Sequence, residues 1–265
     1  MKPASFSYVR PNSWPEALKL VAAGARPGAG TQSLGPLLNL RLAQPDTIAD
    51  LRHLPDYAGV AVEGGVVRIG AGTTHAAIED GAVPGRVGEI MAGVARGIAY
   101  RPVRNRGTIG GSLAHADPAA DWVAVLPALG GAAVALGPRG ERRIASAGFV
   151  KGIFETELAA DELLRAVEVP VLPAEARWGH WKFCRKVGEF SKATACFLAL
   201  PGKAPRAVLA ALDWPPLVIE DASMLAKDPV AEAARIVTAF PELGAWRRAL
   251  AETALRRAVE RAGGA

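Results

Sequence analysis

The hydrophobic positions of this chain switch repeatedly between a helical and a strand period, and the switches divide it into elements. Ser13, Trp14, Pro15 and Glu16 open the first helical block: Ser13 can cap, Pro15 suits the first turn, and Glu16 stands where a capping box places a carboxylate. This helix is expected to run to about Ala23, with Gly24 ending it. A very short extended piece over 25–27 then leads into a glycine-bearing turn at 28–33 (GAGTQS). Leucines at 34, 37, 38, 40 and 42 allow a short helix or a buried irregular segment, and 48–51 reads as a short strand.

Further on, the pattern becomes that of antiparallel sheet. Apolar runs at 60–63 and 66–69 flank Gly64 and Gly65, a strong two-residue hairpin signal. Thr73 or Thr74 can cap a helix through Ile78, and another helix is expected at 87–95. A second glycine-bearing turn at 108–112 (TIGGS) precedes a polar loop. Asp117 can cap and Pro118 can begin a helix that continues through Trp122, Val125 and Leu126. The runs 132–136 and 141–144 predict a second hairpin, and 163–169 a strand that Pro170 stops. The segment 171–175 is the expected domain boundary, giving domains at 1–172 and 173–265. Beyond it lie candidate strands at 178–185, 194–200 and 206–212, then helices, one opened by Asp228 and Pro229.

Composition narrows the class. With 265 residues, 50% hydrophobic and 22% charged, the chain is globular and large enough for two cores. It has no apolar run of membrane-spanning length and no signal-like start, so a cytoplasmic protein with no membrane span is expected. A net charge of +5 would permit nucleic-acid binding. The arginines, however, are scattered and lack interleaved aromatics, which argues against it. Cys184 and Cys196 are too few for a disulfide framework and cannot alone ligate an iron–sulfur cluster. His53, His75, His115 and His180 show no metal-ligand spacing, so no metal is expected on this chain.

The chemistry points instead to the two glycine turns. Both look built for phosphate, with unhindered backbone N–H groups beside Thr and Ser hydroxyls. Taken alone, the first turn could be a degenerate Rossmann fingerprint, with Asp50 some twenty residues on as the ribose acid, or a purely structural turn. The two hairpins before residue 150 contradict a doubly wound sheet. No Walker lysine follows the second turn, and Ser33 and Ser112 lie in no nucleophile motif. No catalytic acid, base or nucleophile is therefore assigned. Asp121 can accept a sugar hydroxyl, and Lys182, Arg185, Lys186 or Lys192 could reach a ligand from the second domain.

Residues 28–45 (GAGTQSLGPLLNLRLAQP) with 106–121 (RGTIGGSLAHADPAAD) closely resemble the FAD-binding medium subunit of molybdenum hydroxylases, the carbon monoxide dehydrogenase and xanthine dehydrogenase family. The resemblance continues through 161–170 (DELLRAVEVP) and 182–190 (KFCRKVGEF). It implies an α+β chain: a vanillyl-alcohol-oxidase-type (PCMH) FAD-binding domain of two α/β subdomains, about 1–55 and 56–172. A smaller domain with a three-stranded antiparallel sheet and a helical bundle would follow. By matched position, Ala29, Gly30, Thr31, Gln32, Ser33 and Leu34 would line the FAD pyrophosphate from one side. Thr108, Gly110, Gly111 and Ser112 would line it from the other. Asp121 would hold a sugar hydroxyl, Leu163 or Leu164 would touch the flavin, and Lys182 would contact it from the second domain. Where many relatives have paired glycines, Thr31 follows Gly30, and a threonine adopts positive φ only at a cost. The function implied is an FAD-carrying electron-transfer oxidoreductase subunit, with molybdopterin on a large partner subunit and [2Fe–2S] clusters on a small one, assembled as a dimer of heterotrimers. The alternative is a stand-alone flavin oxidoreductase of the same FAD-binding fold.

Overall fold

The computed structural model describes residues 2–263. The first unit comprises β1 (Ser7–Val9), α1 (Trp14–Ala22), β2 (Arg26–Gly28), α2 (Leu34–Asn39) and β3 (Thr47–Asp50), with the strands in a parallel sheet of order β1-β3-β2. Helix α1 starts where its cap residues place it. Ser13 Oγ accepts from the Glu16 N–H at 3.4 Å, and Glu16 Oε2 accepts from the Asn12 N–H at 2.8 Å. Its buried stripe is Trp14, Ala17 and Val21. The leucine-rich segment after the first turn resolves as the short helix α2. Strand β1 carries no sequence signal, because its three residues bury almost nothing and rely on the ladder with β3.

The second unit contains β4 (Val60–Glu63), β5 (Val66–Gly70), α3 (His75–Glu79), α4 (Gly85–Arg96), α5 (Arg101–Arg104), α6 (Ile109–His115) and α7 (Asp121–Ala128). It continues with β6 (Ala132–Gly137), β7 (Gly140–Ala145), the small hairpin β8 (Val150–Gly152) and β9 (Glu155–Thr156), and β10 (Leu163–Pro170). Five strands form an antiparallel sheet of order β4-β5-β10-β6-β7. Gly64 and Gly65 have φ of 57° and 77°, the paired positive values of a type I′ hairpin turn. The central strand β10 buries Leu163, Leu164, Ala166, Val167 and Val169, and a bulge lies between Leu164 and Ala166.

Two local expectations are corrected here. Residues 108–112 are the start of helix α6, with Thr108 as its cap and Gly110 and Gly111 in its first turn. Helix α7 begins at Asp121 rather than Pro118, because Asp117 closes a local turn through its Oδ1 to the Ala119 N–H (2.8 Å) and its carbonyl to the Ala120 N–H (2.9 Å).

The remaining elements are β11 (Arg177–Phe183), β12 (Ala193–Ala199), β13 (Arg206–Ala210), β14 (Leu217–Ile219), α8 (Ser223–Lys227), α9 (Pro229–Thr238) and α10 (Ala245–Arg261). This sheet has four strands, not the expected three. The added β14 is a three-residue, half-buried edge behind Pro215 and Pro216, too short to show alternation. Strand β12 is buried along its whole length because it has cores on both faces. Cys196 and Leu198 join the core of the first two units, whereas Ala193, Ala195 and Phe197 join the one roofed by the helices. Gly179 on β11 lets α10 approach so closely that a Cβ there would stand 1.8 Å from the Ala258 carbonyl oxygen.

Candidate cofactor site

One cleft of about 460 Å³ opens where these three units meet. All fourteen residues that the family resemblance points to line it: Ala29, Gly30, Thr31, Gln32, Ser33 and Leu34 from the first turn, Thr108, Gly110, Gly111 and Ser112 from α6, Asp121, Leu163, Leu164, and Lys182. Of the four second-domain cations considered, only Lys182 reaches it.

The two glycine segments touch through backbone. A Cβ on Gly30 would lie 2.0 Å from the Arg106 carbonyl oxygen and 2.8 Å from Gly107 Cα, so this contact requires glycine. Gly110 packs equally close to Ala71, whose Cβ would be 2.3 Å from an added methyl. Neither glycine has positive φ; that conformation falls to Thr31, at φ 58°. The threonine thus takes the conformation it disfavours, at a cost of about 1–3 kcal/mol. Its carbonyl accepts the Gly35 N–H at 2.8 Å and starts α2.

Hydrogen bonding separates the two segments. Among the described residues, the backbone N–H groups of Ala29, Gly30, Thr31, Gln32 and Ser33 have no acceptor. Four of the five in the second segment are satisfied: Ile109 donates to Thr73 O, Gly110 to Ala71 O, Gly111 to Thr108 Oγ1 and Ser112 to Thr108 O, at 2.9–3.0 Å. Five consecutive open donors on a cleft wall form a nest for an anion. The second segment offers a wall without a side chain at Gly111, beside the Ser112 hydroxyl. Arg26, which also lines the cleft, has no acidic partner among the described residues and adds positive potential.

At the opposite end, Lys182 Nζ donates to both Asp121 oxygens, at 2.8 and 2.9 Å, and to the Gly97 carbonyl at 2.9 Å. This bond set ties β11 to the start of α7 and to the end of α4. The ammonium has three protons and three acceptors, while each Asp121 oxygen keeps acceptor capacity for a hydroxyl. His180 Nε2 lies 3.6 Å from Asp121 Oδ1 and is buried without a hydrogen-bond partner among the described residues. Burial, reinforced by Lys182 and Arg261 against the pull of Asp121, pushes its pKa down to about 4. Asp50, the acid a Rossmann site would need, stands outside the cleft lining. It accepts from Tyr8 Oη and from Arg52 Nε and Nη2. Burial raises its pKa, but those bonds outweigh it and hold the carboxyl well below the usual range.

Several lining residues carry no motif of their own. His75 and Ile98 enter the wall through tertiary packing, and the His75 imidazole is buried, at 5% exposure. The available signal was its place directly after a helix-capping threonine. Trp181 and Phe183 alternate with Lys182 on β11 and pack on each other at a tilt, and Phe183 also packs edge-on against Trp246, away from the cleft. Phe190 does line it, on the β11–β12 loop. Among the described residues no helix is long and apolar enough to cross a membrane, and no cluster of His, Cys, Asp and Glu is arranged to hold a metal ion.

Fold and cleft together define an α+β protein with a cleft set between a glycine turn and a helix start. Residues 4–172 match the family described as the FAD binding domain in molybdopterin dehydrogenase. The carbon monoxide dehydrogenase medium chain of Afipia carboxidovorans is 34% identical, covering 99% of this chain and 98% of that one. The nicotine 6-hydroxylase medium subunit of Paenarthrobacter nicotinovorans is 37% identical, over 73% of this chain and 68% of that one. A solved chain of the Cu,Mo-CO dehydrogenase, in its cyanide-inactivated form, superposes with a TM-score of 0.90 at 32% identity, covering 99% of both chains. The chain belongs to the FAD-binding medium-subunit family of molybdenum hydroxylases; it is an oxidoreductase subunit, and FAD is its cofactor.

Proposed function

We propose that this chain is the electron-transfer subunit of a heteromeric molybdenum hydroxylase. Its FAD accepts electrons from [2Fe–2S] clusters on a small partner subunit and passes them to an external acceptor. Substrate is oxidised at a molybdopterin centre on a large subunit, and two heterotrimers pair. The observation that carries this reading is the set of five open N–H groups at residues 29–33, facing a cleft whose opposite wall has no side chain at Gly111. Such a gap fits a pyrophosphate held between two backbones.

In this scheme FAD, when bound, supplies the redox chemistry, and the protein supplies binding, orientation and electrostatics. The first turn donates to the pyrophosphate. Thr108 and Ser112 flank it with hydroxyls, the absent Cβ of Gly111 lets it lie against α6, and Gly110 lets α6 pack on Ala71. Asp121 accepts a sugar hydroxyl while Lys182 holds the carboxylate in place and closes the cleft from β11. Leu163 and Leu164 present the apolar end of the wall to the flavin. No residue of this chain is needed as acid or base. The scheme fits a vanillyl-alcohol-oxidase-type FAD-binding domain over 1–172, divided near residue 55, followed by a separate domain over 173–265.

Gentle purification of the native protein tests the proposal. FAD, molybdenum and iron should co-purify with this chain, in company with a large and a small subunit. A monomeric, molybdenum-free flavoprotein that turns over substrate by itself would show that the chain is a stand-alone oxidoreductase instead.

A further inference from the structure

We propose that His75 is a cofactor-binding residue, its Nε2–H donating to an oxygen of the bound FAD where the two glycine segments meet. The proposal rests on the reading that this cleft holds the FAD pyrophosphate. It is carried by three observations about this side chain.

First, the ring's tautomer is set from inside the protein. The Trp122 indole, which can only donate, places its Nε1–H on His75 Nδ1 at 3.1 Å in a buried contact. The neutral ring therefore carries its proton on Nε2. Burial, and secondarily the nearby Arg104 guanidinium, push the His75 pKa down to about 4, so the ring is an uncharged donor at neutral pH. Arg104 is itself locked by Glu79 and by the Ile98 carbonyl.

Second, that donor has no acceptor among the described residues, and it opens on the cleft wall. A buried imidazole with one nitrogen fixed by indole and the other facing a ligand cavity is arranged to bind.

Third, Gly107 keeps the window open. A Cβ there would lie 3.0 Å from His75 Nε2 and 2.9 Å from Cδ2, covering the donor edge. The same Gly107 is the backbone against which Gly30 of the first turn packs. Its carbonyl accepts the His75 N–H at 2.9 Å, and a bridge between Thr74 and Thr108 holds the two segments in register. The imidazole is thus positioned by backbone before any ligand arrives, at the junction assigned to the pyrophosphate.

The full-length chain, freed of flavin and titrated with FAD, tests this. His75→Phe should weaken binding about tenfold or more, the range for a hydrogen bond to a charged acceptor. His75→Gln, which keeps an N–H donor, should recover most of the affinity. In wild-type protein labelled with ¹⁵N-histidine, the His75 Nε2–H resonance should be present without FAD and move on saturation. Equal FAD affinity in folded His75→Phe, or an Nε2–H resonance unmoved by saturating FAD, overturns the proposal. A misfolded His75→Phe leaves the wild-type resonance as the deciding measurement. A wild-type chain that binds no FAD overturns the functional reading together with this inference.

Discussion

The two glycine segments look alike in sequence and do opposite work. The first keeps its glycine for contact with another backbone and leaves five N–H groups open. The second has the N–H groups of 109–112 occupied in building α6 and in bonding to Ala71 and Thr73, and in the proposed site it offers the ligand a bare surface at Gly111. One segment is the donor and the other is the wall. A glycine pattern therefore reports only that backbone comes close to something. Whether that something is ligand or protein depends on where the N–H groups go.

The largest effect should come from breaking the contact between the segments. In Gly30→Val the new Cβ meets the Arg106 carbonyl oxygen at 2.0 Å, and neither backbone can yield without moving a whole segment. Bound flavin should vanish and thermal stability should fall, by an overpacking cost of about 1–3 kcal/mol or more. Flavin absorbance per protein together with a melting curve checks this; retention of flavin would show that the segments need not touch.

Gly111→Val should separate the two roles. The added Cβ meets only Thr108 Oγ1 at 2.9 Å and otherwise points across the gap, 3.9 Å from Ala29 Cβ. The fold should survive with Tm changed by a few degrees, while FAD affinity falls at least tenfold because the side chain occupies the ligand's space. Wild-type affinity in this variant would mean that α6 is not the second wall.

Much of this was legible in the sequence, because it depended on local chemistry. Ser13 and Glu16 gave the first helix, Gly64 and Gly65 the hairpin, and the fourteen candidate residues converge on one cleft. What was hidden depended on partners distant in sequence. Asp121 and Lys182, each read as a cofactor contact, bond to each other across 61 residues. His75 gains its meaning from Trp122 and Gly107, neither of them near it in the chain. The occupation of the Ile109 and Gly110 N–H groups follows from Thr73 and Ala71, which no pattern at 108–112 could reveal.

A pH series sharpens the contrast further, because the wall segment rests on a buried neutral imidazole and the donor segment does not. Both His75 and His180 are held near pKa 4 in the folded protein and return to about 6.5 when it unfolds. The unfolded chain therefore binds more protons between these values, so stability falls as pH drops from about 6.5 towards 4. Melting temperature measured across that window should decline, and His180→Leu should flatten part of the slope. An unchanged melting temperature from pH 7 to 4.5 would show that neither ring is neutralised by burial.

The smallest expected effect lies in the donor segment itself. Thr31 holds φ 58° in a turn whose neighbours are glycine and glutamine, and its side chain makes no hydrogen bond among the described residues. Thr31→Gly removes the strain of the left-handed conformation but adds freedom to the unfolded chain, terms of about 1–2 and 0.5–1 kcal/mol. The difference favours the glycine variant by about 0–1.5 kcal/mol, a rise of a few degrees at most in Tm. FAD affinity should stay close to wild type, since the residue 31 N–H remains in place. A fall in Tm would mean that the Thr31 methyl, which packs towards Gly28, steadies the turn more than its backbone strains it.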